Sequence, residues 1–291
     1  MEKNYLITIC IPTYNRAKKL ENLLALLSNY NLENIKINIS DNASTDDTKK
    51  LCLRYQLLNN NIFYYRQEKN LGAFNNFNFL LSIVDTPYFI LHGDDDWLDK
   101  NFIIDCFKFL EENKDYSIAT GVSYYDYFSE NKRIIRSGRF FSVESNYRIF
   151  RYIKYYFFNG DNYHLCGLTR SKYLKSYFPL ILPGDWIYMK QFLSSGKIKT
   201  FKNIKVYRSY GDNSSISVPN SLISINKYPQ NIIGRFFVNY LPWLYISYNF
   251  SKKMNNKYNP FIFIFWFSFM LIKKFYEILG KYFFKLIKFK F

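Results

Sequence analysis

Three consecutive carboxylates, Asp94, Asp95 and Asp96, close the apolar run Tyr88-Phe-Ile-Leu91 after a His92-Gly93 step. Like charges side by side repel, and burying even one unpaired is costly. They are tolerated where a hard divalent cation takes oxygen ligands from them. A solvated turn at the end of a strand is the other reading of such a run. What separates the two is position: acids at the C-terminal end of a strand in an α/β chain stand where open parallel sheets bind ligands. A further carboxylate, Asp185, follows Leu182-Pro-Gly184 and opens a helical stretch, Trp186 to Lys190, as a helix-capping acid would.

The elements that must position these groups are legible from periodicity. Leu6-Ile-Thr-Ile-Cys-Ile11 is a buried strand, ended by Pro12-Thr-Tyr-Asn-Arg16, and Leu20, Leu23, Leu24 and Leu27 then recur at helical spacing. Ile35 to Ile39 is a second strand, closed by Ser40-Asp-Asn-Ala-Ser-Thr-Asp-Asp47, in which Ser44 and Asp47 read as a capped helix start. Ile62 to Tyr65 and Tyr88 to Leu91 are the third and fourth strands, with a helix from Asn70-Leu-Gly-Ala to Ile83 between them. Such alternation predicts a single, mostly parallel, Rossmann-like sheet flanked by helices, with right-handed crossovers. The loops after strands one, two and four then share one edge, which brings Tyr14, Asp41 and Asn42 to the acid run. Further on, the pattern predicts a helix over 102–111, a strand over 116–128 paired with 134–141, and a helix over 146–158. Another helix starts at Arg170, and the one opened by Asp185 ends at Gly196. A late strand covers 205–210, followed by a polar loop to Ser215.

Composition narrows the class. The chain has 291 residues, enough for one large α/β domain and an appendage, with 30 Phe and 28 Tyr to fill a core. Its formal charge of +17 suits nucleic acid, anionic membrane or anionic substrates without choosing among them. No Gly-rich phosphate loop and no GxGxxG are present, which argues against kinases, P-loop proteins and dinucleotide oxidoreductases. With His92 and His164 the sole histidines, a three-histidine metal site is excluded. Cys10, Cys52, Cys106 and Cys166 are too dispersed for a CxxC site and read as reduced thiols. The first residues run into a strand without an apolar leader segment, so the catalytic part is expected in the cytoplasm.

Taken in order, the Pro-Thr-Tyr-Asn-Arg, Ser-Asp-Asn-Ala-Ser-Thr-Asp, Asn-Leu-Gly, Gly-Asp-Asp-Asp-Trp-Leu and Gly-Asp-Trp segments resemble the motifs of family 2 glycosyltransferases with the GT-A fold, over about residues 5–215. The resemblance implies sugar transfer from a nucleotide-sugar donor, UDP- or dTDP-linked, with inversion and with Mg²⁺ or Mn²⁺. It implies that Pro12 and Tyr14 line the nucleotide pocket and that Asp41 and Asn42 face base or ribose. Aligned through Trp97, the metal-binding acid falls on Asp95, with Asp94 near ribose and diphosphate and Asp96 in support. Asp185 matches the general base, and Trp186 its acceptor-side neighbour. The sequence departs from the family at Asn42, where a second Asp is usual, and at Gly93, where the first acid of the DxD signature falls. His164 contacts acceptor or phosphate, or is structural among its aromatic neighbours. Arg208, near Asp212, steadies the diphosphate or pairs at the surface.

The domain expected over 1–220 comprises a nucleotide-sugar half (1–100) and an acceptor half (101–220), followed by a tail over 221–291. Residues 261–272 are almost wholly apolar but span only about 18 Å as a helix, short of a hydrocarbon core of about 30 Å. From Ser251 to Phe291 there are nine lysines and one acid, with Lys274, Lys281, Lys285 and Lys288 opposite Phe275, Ile278, Tyr282 and Phe283. A basic amphipathic helix of this kind lies in an anionic membrane interface. The expected place is therefore peripheral, on the inner face of the cytoplasmic membrane, with a glycan or lipid-linked glycan acceptor and no nucleic acid. Two rivals remain: a nucleotidyl- or phosphosugar transferase using the same acids, and a non-catalytic membrane-docking scaffold on the same fold.

Overall fold

The computed structural model describes residues 4–30, 34–129, 132–137, 140–158, 163–179 and 184–210, with residues 268, 271 and 272. Its first half alternates β1 (Ile7–Thr13), α1 (Ala17–Ser28), β2 (Ile35–Asp41), α2 (Thr48–Leu58), β3 (Ile62–Arg66), α3 (Ala73–Ser82) and β4 (Tyr88–Leu91). The second half carries α4 (Lys100–Glu112), β5 (Tyr116–Ser129), β6 (Lys132–Ser137), α5 (Arg148–Phe158), β7 (Leu168–Arg170), α6 (Gly184–Ser195) and β8 (Lys197–Tyr210). The strands form one sheet in the order β3-β2-β1-β4-β7-β5-β6, with β8 alongside β5.

Strands β1 to β4 are parallel, and the alternation of short apolar runs with amphipathic helices produces this directly. Ile7, Ile9 and Ile11 of β1 and Ile35, Ile37 and Ile39 of β2 turn one face to Leu20, Leu23, Leu24 and Leu27 of α1. Phe102, Ile103, Cys106 and Leu110 of α4 complete that core. Each such side chain, fully buried, contributes roughly 1.5–3 kcal/mol. All four cysteines are buried free thiols, as their dispersed spacing implied.

The expectation of a mostly parallel sheet holds for the first half and fails beyond β4. The three-residue β7 is antiparallel to both β4 and β5, and β6 is antiparallel to β5, while β8 returns parallel to β5. The helix expected from Arg170 is only a short 3-10 turn, Ser171–Tyr173. Arg170 instead turns inward: its Nε donates to the Tyr116 carbonyl at 2.9 Å, Nη1 to the Tyr88 hydroxyl at 2.6 Å, and Nη2 to the Leu110 carbonyl at the end of α4. Buried Arg151 does the same for α6, donating from Nε to Leu193 O at 2.7 Å and from Nη1 to Ser145 O and Asn146 O, each at 2.9 Å. These guanidiniums satisfy carbonyls that a helix terminus leaves unpaired.

The late strand is longer than expected because it is bulged. Gly121 pairs with Phe201 and Val122 with Lys205, so residues 202–204 lie outside the regular register. At Gly121 the two strands approach so closely that a Cβ would collide with the Ile204 carbonyl oxygen. Ser44 does not cap α2: Asp47 stands at the N-cap position without a side-chain hydrogen bond, Asp46 Oδ1 accepts from the Thr48 amide at 3.1 Å, and the Ser44 hydroxyl accepts from the Asn15 amide at 2.8 Å.

Residues Met1–Pro179 and Tyr188–Ser215 form one compact unit, and Leu180–Ile187 group with Ile216–Phe291 in another. The division expected at 220, the loop with Asp212, and the amphipathic helix of the tail lie outside the described residues. Among the described residues no helix is long and apolar enough to cross a membrane.

Candidate active site

The loops after β1, β2 and β4 meet at the C-terminal edge of the parallel strands, and hydrogen bonds tie them together. The Asn42 amide donates to Thr13 O at 2.9 Å, and Asn15 Oδ1 accepts from the Thr45 amide at 2.7 Å. Asn15 takes a left-handed φ of 52°, a conformation that Asn tolerates better than most residues. Thr13 Oγ1 donates to Asp94 Oδ2 at 2.7 Å. The edge predicted from periodicity therefore exists, and Pro12, Tyr14, Asp41, Asn42 and the acid run share it.

Asp41 is fully buried. Its Oδ1 accepts from the Ser44 amide at 2.8 Å, and Oδ2 from the Tyr64 hydroxyl at 2.7 Å and Arg66 Nη1 at 2.8 Å. Burial, and then the hydrogen bond to Asp41, push the Tyr64 hydroxyl pKa up. Asn42, also buried, receives the Leu71 amide on Oδ1 and donates from Nδ2 to Asn70 Oδ1, each at 2.8 Å. Both side chains thus face protein groups. Tyr14, 42% exposed, presents its ring to solvent, and Pro12 is half-buried.

The acids at 94–96 are differently placed. Asp94 is 4% exposed, and burial pushes its pKa up against the opposing pull of Thr13 and Arg16. Arg16 Nη1 reaches Asp94 Oδ1 at 3.0 Å and Asp95 Oδ2 at 2.8 Å, and Lys19 Nζ stands 3.8 Å from the same Asp95 oxygen. Asp96 Oδ2 faces Arg208 Nε at 3.4 Å. Arg208 gets there because the Trp97 amide bonds to Tyr207 O at 3.0 Å, which docks the acid loop on β8. The partner of Arg208 named by the structure is therefore Asp96; Asp212, its expected neighbour, lies outside the described residues.

Gly93 owes its lack of a side chain to these acids. A Cβ there would meet Asp96 Oδ2 at 2.9 Å and Asp95 Oδ1 at 3.2 Å, so two carboxylate oxygens converge above its Cα. His92 beside it is buried, donates from Nδ1 to the Gly93 carbonyl at 2.7 Å, and leaves Nε2 without a hydrogen-bond partner among the described residues. Its pKa is lowered by burial, opposed by Asp96. Among the described residues no three His, Cys, Asp or Glu side chains gather into a ready metal-holding group. The donor set nevertheless has the hard-oxygen chemistry of a divalent cation, and Asp95 and Asp96 supply the converging pair.

Asp185 lies in the first turn of α6, half-buried, with Trp186 half-buried beside it. His164 does not open onto the shared edge. It is fully buried in a 3-10 turn, stacked on Tyr163 at 4.1 Å and beside Phe141 at 4.6 Å, with Nε2 at 3.2 Å from the Phe141 carbonyl. Its neighbours give it a core position and no solvent-facing nitrogen. Sequence reasoning gave no role to Arg16 and Lys19, or to Tyr64, Arg66 and Asn70, which hold the acids and amides in place. Arg16 stands in the Pro-Thr-Tyr-Asn-Arg run. The adjacency of β1 and β4 was the available signal that its side chain meets the acids.

Known proteins resemble this chain in sequence and in fold. The sequence profile of glycosyl transferase family 2 matches residues 8–178. The abequosyltransferase RfbV of Salmonella typhimurium is 39% identical over 117 residues, 38% of this chain and 34% of RfbV. The glycosyltransferase GlyG of Streptococcus pneumoniae is 28% identical over 140 residues, 48% of this chain and 46% of GlyG. The aligned segments thus span a third to a half of these relatives' lengths. Among solved structures, S. aureus TarS 1-349 in complex with UDP-GlcNAc superposes with a TM-score of 0.61 at 18% identity, covering 86% of this chain and 81% of that one. The mannosyltransferase PcManGT from Pyrobaculum calidifontis, in complex with GDP-Man and Mn²⁺, gives 0.53 at 12% identity, covering 86% and 72%. These two likenesses concern the fold alone.

Proposed function

The chain belongs to glycosyl transferase family 2, and from that premise we propose that it moves a sugar from a nucleotide-sugar donor to a hydroxyl of a surface-glycan acceptor, with inversion at the anomeric carbon. The observation that carries this reading is the convergence of the β1, β2 and β4 loops on Asp94–Asp96. TarS with UDP-GlcNAc and PcManGT with GDP-Man and Mn²⁺ support the donor class and the cation, and RfbV supports a surface glycan.

Tyr14 and Pro12 wall the nucleotide, while Asp41 and Asn42 hold the shape of its pocket through the Ser44 and Leu71 amides. Asp95 and Asp96 would hold the cation, with Asp94 fixing Arg16 and Thr13 beside them. A bound Mg²⁺ or Mn²⁺ supplies Lewis-acid neutralisation of the charge that builds on the leaving diphosphate. Asp185 acts as general base, taking the proton of the acceptor hydroxyl as it attacks, and inversion follows when base and leaving group flank opposite faces of the sugar. A lipid-linked acceptor and peripheral attachment to an anionic membrane suit the nine lysines against one acid from Ser251 onward.

A thermal-shift panel of nucleoside diphosphates, each with and without Mn²⁺, tests the reading. Stabilisation that needs both one nucleotide and the metal is expected. Asp185→Asn keeps that stabilisation while turnover disappears. Turnover near the wild-type rate in this variant places the base elsewhere. Transfer without release of free nucleoside diphosphate points instead to a nucleotidyl- or phosphosugar transferase.

A further inference from the structure

The acid run is neutralised by the protein's own cations. Arg16, Lys19 and Arg208 stand within 4 Å of carboxylate oxygens of Asp94, Asp95 and Asp96. The three acids are not equally committed. Asp94, with 6% of its side chain exposed, is anchored by Thr13 as well as Arg16. Asp95, at 15%, gives Oδ2 to Arg16 and Lys19 and turns Oδ1 to the space above Gly93. Arg16 bridges the two through a single nitrogen, and its side chain is 25% exposed at the start of α1. A guanidinium so placed holds Oδ2 of the carboxylate whose Oδ1 faces Gly93, so it shares the charge of Asp95 with any divalent cation taken on Oδ1. It is also the group best shaped to take a diphosphate, which it can grip with two parallel hydrogen bonds.

We propose that Arg16 is an exchangeable counter-ion of the acid run, holding Asp94 and Asp95 while the donor is absent and passing to the donor's diphosphate as the divalent cation takes Asp95. This rests on the reading of Asp95 and Asp96 as cation ligands. Its consequence is coupling. The cation alone meets the charge of Arg16 on the same carboxylate and binds weakly, whereas the diphosphate draws Arg16 away and strengthens cation binding, and the converse follows by linkage. Lys19, 3.8 Å from Asp95, follows Arg16 without bridging.

The test uses the full chain and Mn²⁺ alone, followed by the free-ion paramagnetic signal, for wild type, Arg16→Gln, Arg16→Lys and Asp95→Asn. Arg16→Gln is expected to bind Mn²⁺ about ten-fold more tightly than wild type, within the range of ordinary site coupling. With saturating Mn²⁺, affinity for the best nucleoside diphosphate of the UDP, dTDP, GDP and CDP set falls by about ten-fold in the same variant. Arg16→Lys, which keeps the charge without the fork, lies between on both readouts and also carries the comparison if the Gln variant folds poorly. A merely structural Arg16 would weaken both ligands when removed, so a gain in Mn²⁺ affinity is the distinguishing sign. If Asp95→Asn loses Mn²⁺ while Arg16→Gln binds it no tighter than wild type, the exchange is refuted and the cation site stands. If Mn²⁺ binding is unchanged in Asp95→Asn, the cation reading fails and the exchange with it.

Discussion

Acidification singles out His164. Its ring is fully buried against Tyr163, Phe141 and Tyr155, and burial lowers its pKa from 6.5 to about 3. Nε2 faces the Phe141 carbonyl, which can only accept, so Nε2 carries the proton and Nδ1 is bare, with no partner among the described residues. Because the folded-state pKa lies below the unfolded one, the unfolded chain takes up the proton first as pH falls. Nothing is lost well above pH ~6.5; below it, stability declines by about 1.4 kcal/mol per pH unit and levels off near the folded pKa. At about pH 4.5, two units below the unfolded value, the loss is about 2.7 kcal/mol, or roughly 5–10 °C in Tm for a domain of this size. Denaturant titrations of wild type and His164→Gln between about pH 7 and pH 4.5 isolate this proton, because His92 and the carboxylates titrate in both. Glutamine keeps an N–H for the Phe141 carbonyl and cannot charge, so the wild-type curve should fall away from the variant's. Parallel curves would show that His164 is solvated or ion-paired when folded, and would reopen its assignment to acceptor or phosphate.

Substitutions at two further positions probe the site. Asp41→Ala removes the acceptor for the Ser44 amide and the Tyr64 hydroxyl and should cost about 3 kcal/mol in urea denaturation. Asp41→Asn, which keeps one oxygen, should recover about half; an Ala variant as stable as wild type would mean the carboxylate is free for ligand. Gly93→Ala places a methyl 2.9 Å from Asp96 Oδ2 and 3.2 Å from Asp95 Oδ1, contacts that flexible side-chain tips can relieve. It should change global stability by less than about 1 kcal/mol while weakening Mn²⁺ binding several-fold by calorimetry. Unaltered Mn²⁺ affinity would show that the two oxygens above Gly93 are not the ligands.

The parallel half of the sheet was legible because β1, β2 and β4 are covered on both faces, so that burial writes itself as short runs of Ile, Leu and Phe between helical patterns. From that half alone, the shared edge of Tyr14, Asp41, Asn42 and Asp94 follows. The antiparallel half hid for local reasons. A three-residue strand such as Leu168–Arg170 has no period to detect, and its Arg170 reads as a helix start although the structure buries it under α4 carbonyls. In β8 the alternation of Lys197, Ile198, Lys199 and Thr200 is interrupted by the irregular residues 202–204, so only its last stretch reads as strand. The cationic partners of the acids were hidden by distance along the chain: Arg16 and Asp95 are 79 residues apart.

What an acid does at such an edge is decided by the donors around it, and the two acidic stations here have opposite surroundings. Asp41 takes a backbone amide, a tyrosine hydroxyl and an arginine, donors fixed by β2, β3 and the loop between β2 and α2; no ligand could take its oxygens without unmaking that loop. Among the described residues Asp95 is held by side-chain cations alone, one on the loop before α1 and one on α1 itself, both partly exposed, and its second oxygen is turned over a glycine. Those contacts can be exchanged at the cost of rotating a side chain. The same residue type therefore serves as scaffold at the end of β2 and as exchangeable ligand at the end of β4. On this argument, replacing Asp41 shows itself first in stability and replacing Asp95 first in ion binding, and a reversal of that order would mean that the two stations have been assigned the wrong way round.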